Sequence, residues 1–247
     1  GVQTCALPIL QAVPLPAMLK TRRLGYDGKG QARVDTAAEL AHAFASLGSV
    51  PCILEAFVPF ESEISIVGVR GVDAQGRQDI RLWSACRNRH REGILDETVS
   101  PAGGIPPAAV AAAQQGVHTV LSRLGHEGVM AVEFFLHDGA LIANEMAPRV
   151  HNSGHWTIEG ARTSQFENHL RAVARMPLGD TDSVGVSVMR NLVGQVAHPS
   201  AALPASVHLH LYGKRARERR KLGHLTSVAQ QESVAIADAA AAFAALA

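Results

Sequence analysis

Met130-Ala-Val-Glu-Phe-Phe-Leu136, then Asp138-Gly139, then Leu141-Ile-Ala-Asn-Glu-Met146 is the stretch on which the fold turns. The apolar runs 129–136 and 140–146 flank an Asp-Gly pair. Between two strand-like runs such a pair is a strong hairpin signal, because both residues tolerate the positive φ of a two-residue turn. Folding the chain there makes Glu133 and Glu145 near-opposite neighbours on one face, roughly 5 Å apart at Cβ. Glu133 is the only charge in a run hydrophobic enough to be buried on both faces. Two like charges at such a site repel, and each is costly to bury alone. A Mg²⁺ ion removes both objections, since it is typically held by one or two carboxylates with substrate phosphates and water. The competing reading sends one Glu to solvent and pairs the other with an arginine such as Arg149. A slip of one residue in register would also separate the two acids.

Working outward, the flanks alternate between strand and helix signals. Ala17–Lys20 reads as a short strand ending in a lysine, and a helix is predicted from Thr36, with Glu39 placed for a capping box, to Gly48. Strands are predicted at 53–58, 64–72 and 81–85, the last leading into the polar stretch 87–92. Pro106 and Pro107 open a long Ala-rich helix that Gly125 closes. Ser164 caps a further helix ending before Pro177, and strands at 184–193 and 207–212 belong to a smaller C-terminal unit. The Ala-rich tail from Val234 suits a packed helix. Hairpins mixed with helices predict an α+β fold and exclude a parallel doubly wound sheet.

Between the first strand and the first helix lies Gly25-Tyr-Asp-Gly-Lys-Gly-Gln31. It is neither GxGxxG nor a P-loop. Its glycines permit close approach of backbone to phosphate oxygens, with Lys29 at the tip and Lys20 within reach; taken alone, such a loop is more often a plain hairpin turn. Glu55 and Glu63 read as solvated strand ends, and His90 as part of a solvated basic loop, Arg87-Asn-Arg-His-Arg91.

The segment Asn144-Glu-Met-Ala-Pro-Arg-Val-His-Asn-Ser-Gly-His-Trp-Thr157 is dense in polar residues. It resembles, almost letter for letter, the signature of N5-carboxyaminoimidazole ribonucleotide synthases. Leu19-Lys-Thr-Arg-Arg-Leu-Gly-Tyr-Asp-Gly-Lys-Gly-Gln31 and Lys214 with Arg220-Lys-Leu-Gly-His-Leu225 resemble the same family, in the same order, so the likeness runs from about Ala17 to the C-terminus. It implies an ATP-grasp fold over 17–182, a small β-rich domain over 183–247 and an unmatched segment 1–16. It also implies that the family's N-terminal Rossmann-like domain, of about a hundred residues, is missing here. The absence of an initial methionine and an end inside an apolar helical pattern fit a chain cut at both ends.

By position, the resemblance assigns ATP to Lys20, Gly25, Tyr26, Asp27, Gly28, Lys29, Gly30, Gln31, Glu55, Ala56, Phe57, Val58, Glu63 and His90, with Asn144 and Glu145 beside them. It assigns Mg²⁺ to Glu133 and Glu145, gives bicarbonate, the carboxyphosphate formed from it or the aminoimidazole to Arg149, His151 and Asn152, and places Lys214, counted with them as catalytic, at the ribonucleotide phosphate. His155, Arg220 and Lys221 would meet 5-aminoimidazole ribonucleotide. One departure is Arg219, where the family usually has glycine. The implied reaction is ATP- and bicarbonate-dependent carboxylation of that ribonucleotide, by a cytoplasmic homodimer. Rival readings are another ATP-grasp carboxylate-amine ligase or an inactive nucleotide-binding fragment.

Composition agrees with a cytoplasmic enzyme. Of 247 residues 47% are hydrophobic, enough for a sizeable core, and 23 basic against 22 acidic residues argue against a nucleic-acid surface. Three scattered cysteines offer neither a disulfide framework nor zinc spacing. No membrane span is expected, and Pro8, Pro14 and Pro16 break the apolar start in a way that suits no signal peptide.

Overall fold

The protein is described by a computed structural model over residues 12–25 and 28–246. It divides into two compact units, Gly1–Pro59 with Glu92–Ile94, and Phe60–Arg91 with Leu95–Ala247.

In the first unit β1 (Ala17–Thr21) is the centre of a three-stranded antiparallel sheet, between β2 (Gln31–Val34) and β3 (Cys52–Ala56). Helix α1 (Glu39–Ser46) lays Leu40 and Ala43 on Leu19 and Val34. Glu39 turns back to accept from the N–H groups of Asp35 at 2.9 Å and Thr36 at 3.4 Å, the acidic half of the expected capping box. The helix starts later than the Thr36 expected, because 36–39 close first as a turn, Glu39 N–H to Thr36 O at 3.1 Å.

The second unit is built on a nine-stranded sheet. Its members are β4 (Ser62–Val72), β5 (Gln78–Leu82), β6 (Cys86–Arg91), β7 (Ile94–Ser100), β8 (Gly128–His137), β9 (Ala140–Ala147), β10 (Val186–Val193), β11 (Val207–Leu211) and β12 (Lys221–Ala229). The order is β11-β12-β10-β7-β6-β4-β8-β9, with β5 paired to β4. On one face Ile64, Ile66 and Met130 meet Ala113, Val117 and Leu121 of α2 (Pro107–Leu124). That helix has Pro107 in its first turn and Gly125 in the left-handed conformation at its end, as the sequence predicts. On the other face Val67, Val69 and Ala131 meet Trp156 and Ala172, carried by α3 (Thr157–Gly160) and α4 (Gln165–Val173) with their flanks. Ser164 caps α4, accepting from Glu167 N–H at 3.1 Å. Helix α5 (Glu232–Leu246) covers β10 and β12 through Ala235, Ala239, Ala242 and Leu246.

Two departures from the sequence reading matter for the site. The stretch Arg87–Glu92, read as a solvated loop, is mostly the interior strand β6, whose Asn88 faces inward while Arg89 faces out. The strand read at 81–85 lies earlier, at Gln78–Leu82, where it pairs with β4. The C-terminal strands β10 to β12 join the large sheet through β7.

Candidate active site

The hairpin forms where Asp-Gly demands it. Asp138 at φ 49° and Gly139 at φ 73° make the turn, both positive as a two-residue hairpin needs. From it the ladder runs His137↔Ala140, Leu136↔Leu141, Phe135↔Ile142, Phe134↔Ala143, then shifts by one residue at a bulge. The shift leaves Asn144 as the extra residue and puts Glu145 opposite Glu133. Across β8 and β4, Glu133 also pairs with Ser65, and Ser65 with Cys86 of β6, so the four form one row on one face.

The Glu133 side chain is 15% exposed, while Glu145 faces solvent. Burial, then the charges of Glu145 and Glu63, push the Glu133 carboxyl up to about 7, against the pull of His90 and Lys221. The pair therefore resists double ionisation, and two such hard oxygen donors fit a divalent cation. Arg149 does not neutralise them: its Nη1 donates to Val150 O at 2.9 Å, and among the described residues it forms no ion pair with either acid. Glu63 is not a solvated strand end. It is hydrogen-bonded to His90 Nδ1. Burial opposes a charge on His90, but the bond to Glu63 and its charge prevail and raise the imidazole above its usual value. The positive charge of Lys221 is felt at Glu133, His90, His151 and His155 alike.

The segment after β9 is held by one buried side chain that the sequence reading missed. Gln165 Oε1 accepts the His151 N–H at 2.9 Å, and its Nε2 donates to His151 O at 2.7 Å and to His155 Nδ1 at 3.0 Å. Gln165 lies so close that a Cβ on Gly154 would stand 2.7 Å from its Oε1, so glycine is required there. Asn152 exchanges two amide hydrogen bonds with Asn191, at 3.0 and 2.8 Å, and Asn191 is tied to Leu95 O at 2.8 Å. Burial first, then nearby positive charges, hold His151 down at about 3 and His155 at about 4, so both are neutral at pH 7. Beside His155 stand His224 and His210, with ring centroids 5.0 Å and then 4.6 Å apart, and Tyr212 bonded to His224 Nδ1 at 2.7 Å. The only sequence signal for this column was Gly223-His224 inside the Lys221–Leu225 block, to which no role was given.

The remaining expected residues are placed as follows. In the first unit Lys20 is engaged by Glu55 at 2.6 Å, Gly30 (φ 75°) backs onto Thr21, and Gly28 backs onto Gly93. Gly25 and Gln31 flank that loop and Lys29 sits within it, while Tyr26 and Asp27 lie outside the described residues. Ala56 ends β3, Phe57 and Val58 follow it, and the Phe57 ring carries the Arg33 guanidinium at 4.3 Å. In the second unit Lys214 Nζ lies 4.9 Å over the Tyr212 ring, and Arg220 O accepts from Gly194 N–H at 2.9 Å. Arg219 sits at φ 59°, the left-handed region where glycine is at home.

Residues 4–166 match the ATP-grasp domain family. The chain belongs to the ATP-grasp family. Beyond that ATP-grasp segment, residues 187–238 match the phosphoribosylaminoimidazole carboxylase C-terminal domain. Over 216 residues the chain is 54% identical to an N5-carboxyaminoimidazole ribonucleotide synthase of Pseudomonas aeruginosa, covering 87% of this chain and 58% of that relative. Among solved structures it is similar to the N5-carboxyaminoimidazole ribonucleotide synthetase of Thermus thermophilus, with a TM-score of 0.86 and 44% identity over 97% of this chain and 64% of that one. The synthase of Aspergillus clavatus in complex with ADP and 5-aminoimidazole ribonucleotide gives a TM-score of 0.84 at 26% identity, covering 96% and 64%. The ATP-grasp chain thus spans about 58% of the length of the curated relatives it matches. Among its described residues no helix is long and apolar enough to cross a membrane.

Proposed function

We propose that the protein of which this chain is part carboxylates 5-aminoimidazole ribonucleotide to N5-carboxyaminoimidazole ribonucleotide, using ATP and bicarbonate in purine biosynthesis. The observation that carries the proposal is the in-register pair Glu133–Glu145 beside the His151–His155 segment on one sheet face. The names of the relatives support the same reading. We propose the reaction to be cytoplasmic and the working form a homodimer. We further propose domain limits of 17–182 and 183–247; the family matches at 4–166 and 187–238 support a division somewhere between residues 166 and 187.

Glu133 and Glu145 would hold Mg²⁺, whose charge would offset that of the ATP phosphates. In the reaction a bicarbonate oxygen attacks the γ-phosphorus, the bond to ADP breaks, and carboxyphosphate forms. Carboxyphosphate splits into phosphate and CO₂. The 5-amino group of the ribonucleotide attacks CO₂ and loses a proton, giving the carbamate. The protein's part is positioning and charge neutralisation. Arg149 would grip the carboxyphosphate bidentately, neutral His151 and Asn152 would orient its oxygens, and the Gln165 clamp and Asn191 hold those groups still. Lys20 and the 25–31 loop would meet ATP, with Lys20 exchanging Glu55 for a phosphate. Lys221 supports either phosphate, ribonucleotide or carboxyphosphate, while Lys214 and Arg220 suit the former. The test is to supply Mg-ATP, bicarbonate and the ribonucleotide to the chain extended to its relatives' length, and follow phosphate release with product. Phosphate release that depends on bicarbonate and yields N5-carboxylated product is expected; release driven instead by another amine or carboxylate would overturn the assignment.

A further inference from the structure

Four buried polar side chains on the carboxylate face have no part in the roles given so far. Thr98, Asn88, Ser65 and Ser153 are each more than nine-tenths buried. The Thr98 hydroxyl donates to Asn88 Oδ1 at 2.9 Å, Asn88 Nδ2 to Ser65 Oγ at 2.9 Å, and Ser65 Oγ to Ser153 Oγ at 2.8 Å. Ser153 Oγ in turn lies 2.9 Å from His151 Nδ1.

The direction of this line is fixed at its far end. The backbone N–H of Ser153 also points at His151 Nδ1, at 3.3 Å, and an N–H can only donate. Nδ1 therefore carries the lone pair. The Ser153 hydroxyl must give it its one proton, and so must accept from Ser65. Ser65 accepts from Asn88, whose carbonyl end is held by Thr98. Ser65 and Ser153 then each donate once and accept once, and His151 Nδ1 shares its lone pair between the Ser153 N–H and O–H; burial demands such pairing, since a buried polar group left unpaired costs about 1–3 kcal/mol.

We infer that Thr98, Asn88, Ser65 and Ser153 form a positioning relay that locks His151 as its Nε2–H tautomer, so that it presents a hydrogen-bond donor, and no base, to the carboxylate cluster. Nε2 lies 3.7 Å from Glu133 Oε1, at the site itself. The ligand chemistry this suits is a small oxyanion oxygen. If the proposed reaction holds, His151 steadies bicarbonate or carboxyphosphate and does not take the bicarbonate proton. The tautomer assignment does not depend on that reaction.

The experiment reads the tautomer directly, by ¹⁵N NMR of the His151 imidazole in the histidine-labelled chain at pH 7 to 8. The native protein is expected to show a protonated Nε2 and a bare Nδ1. Asn88→Asp replaces the amide donor with an acceptor, turning the Ser65 and Ser153 protons away from His151. The tautomer ratio is expected to move roughly tenfold toward Nδ1–H, the worth of about one hydrogen bond. Ser65→Ala, which adds no charge, is expected to move it the same way by less, and Ser65→Thr to restore it. A native His151 protonated at Nδ1 overturns the relay, as does an unchanged ratio in folded Ser65→Ala. Loss of bicarbonate-dependent turnover with the tautomer intact would instead count against the reaction.

Discussion

Glu133 faces Glu145 across the β8–β9 hairpin only because the ladder shifts by one residue at Asn144. A regular ladder from the same turn would set Asn144 opposite Glu133 and turn Glu145 to the other face.

That crowding gives the metal-free chain a pH signature. Glu133 keeps its proton in the folded chain up to about 7, while the unfolded chain loses it near the ordinary 4.5. The folded state binds the extra proton between those values, so this residue's contribution to stability falls as pH rises from 4.5 to 7 and stays unfavourable above. Glu133→Gln is expected to raise the denaturation midpoint at pH 8, to leave it nearly unchanged at pH 4, and to weaken Mg²⁺ binding at least tenfold. Urea titrations at the two pH values with a Mg²⁺ titration check this. A variant that unfolds while Mg²⁺ binding persists would make the pair structural.

Arg149 is exposed, and among the described residues its side chain donates to the Val150 carbonyl alone, so its replacement should not disturb the fold. Arg149→Lys is expected to lower turnover of the extended protein by roughly a hundredfold, the scale of one lost transition-state contact, while ATP affinity changes little. Initial-rate kinetics beside nucleotide titration separate the two effects. Equal losses in both would move Arg149 to the nucleotide.

The imidazole column gives the opposite sign of pH dependence. Burial and the neighbouring histidines hold His224 at about 3, against 6.5 in the unfolded chain. The unfolded state binds the proton first, so stability is complete above about 6.5 and is lost as pH falls toward 3. His224→Gln is expected to flatten the acid limb of a stability–pH curve by about one proton, or ~1.4 kcal/mol per pH unit. An unchanged slope between pH 4 and 6 would show that His224 is not buried neutral.

Arg219 pays the strain of a left-handed backbone that glycine would not. Arg219→Gly is expected to stabilise the chain by about 0.5–1 kcal/mol in chemical denaturation, less the greater freedom glycine gains when unfolded. A loss of stability would mean that the arginine's side-chain interactions outweigh the backbone cost.

Much of this was legible in the sequence. Asp138-Gly139 fixed the hairpin and brought both acids to the same level of it, although the bulge at Asn144 that sets them on one face has no local signal, and Pro107, Gly125 and Ser164 bounded their helices where capping chemistry requires. What escaped was set by long-range contact. Strand β6 reads as Arg-Asn-Arg-His-Arg because its inward Asn88 and His90 are satisfied by Ser65, Thr98 and Glu63, partners 10 or more residues away that no local window joins. Gln165 reads as the first residue of an ordinary helix, and only the fold carries it under His151. Asn191 lies in an apolar strand with nothing nearby in sequence to mark it as the partner of Asn152.

The continuous sheet also governs how the molecule comes apart. Strand β10 is hydrogen-bonded to β7 from Ser187 to Arg190, and β12 to β10 along nearly its whole length. Severing the backbone near residue 183 would therefore strip β7 of its neighbour and leave two raw edges, each an invitation to aggregate. The boundary between the two family matches is a seam in ancestry and not in cooperativity. Pieces expressed from either side of it should need each other in the same vessel to become soluble, and mixing them should restore one shared melting transition.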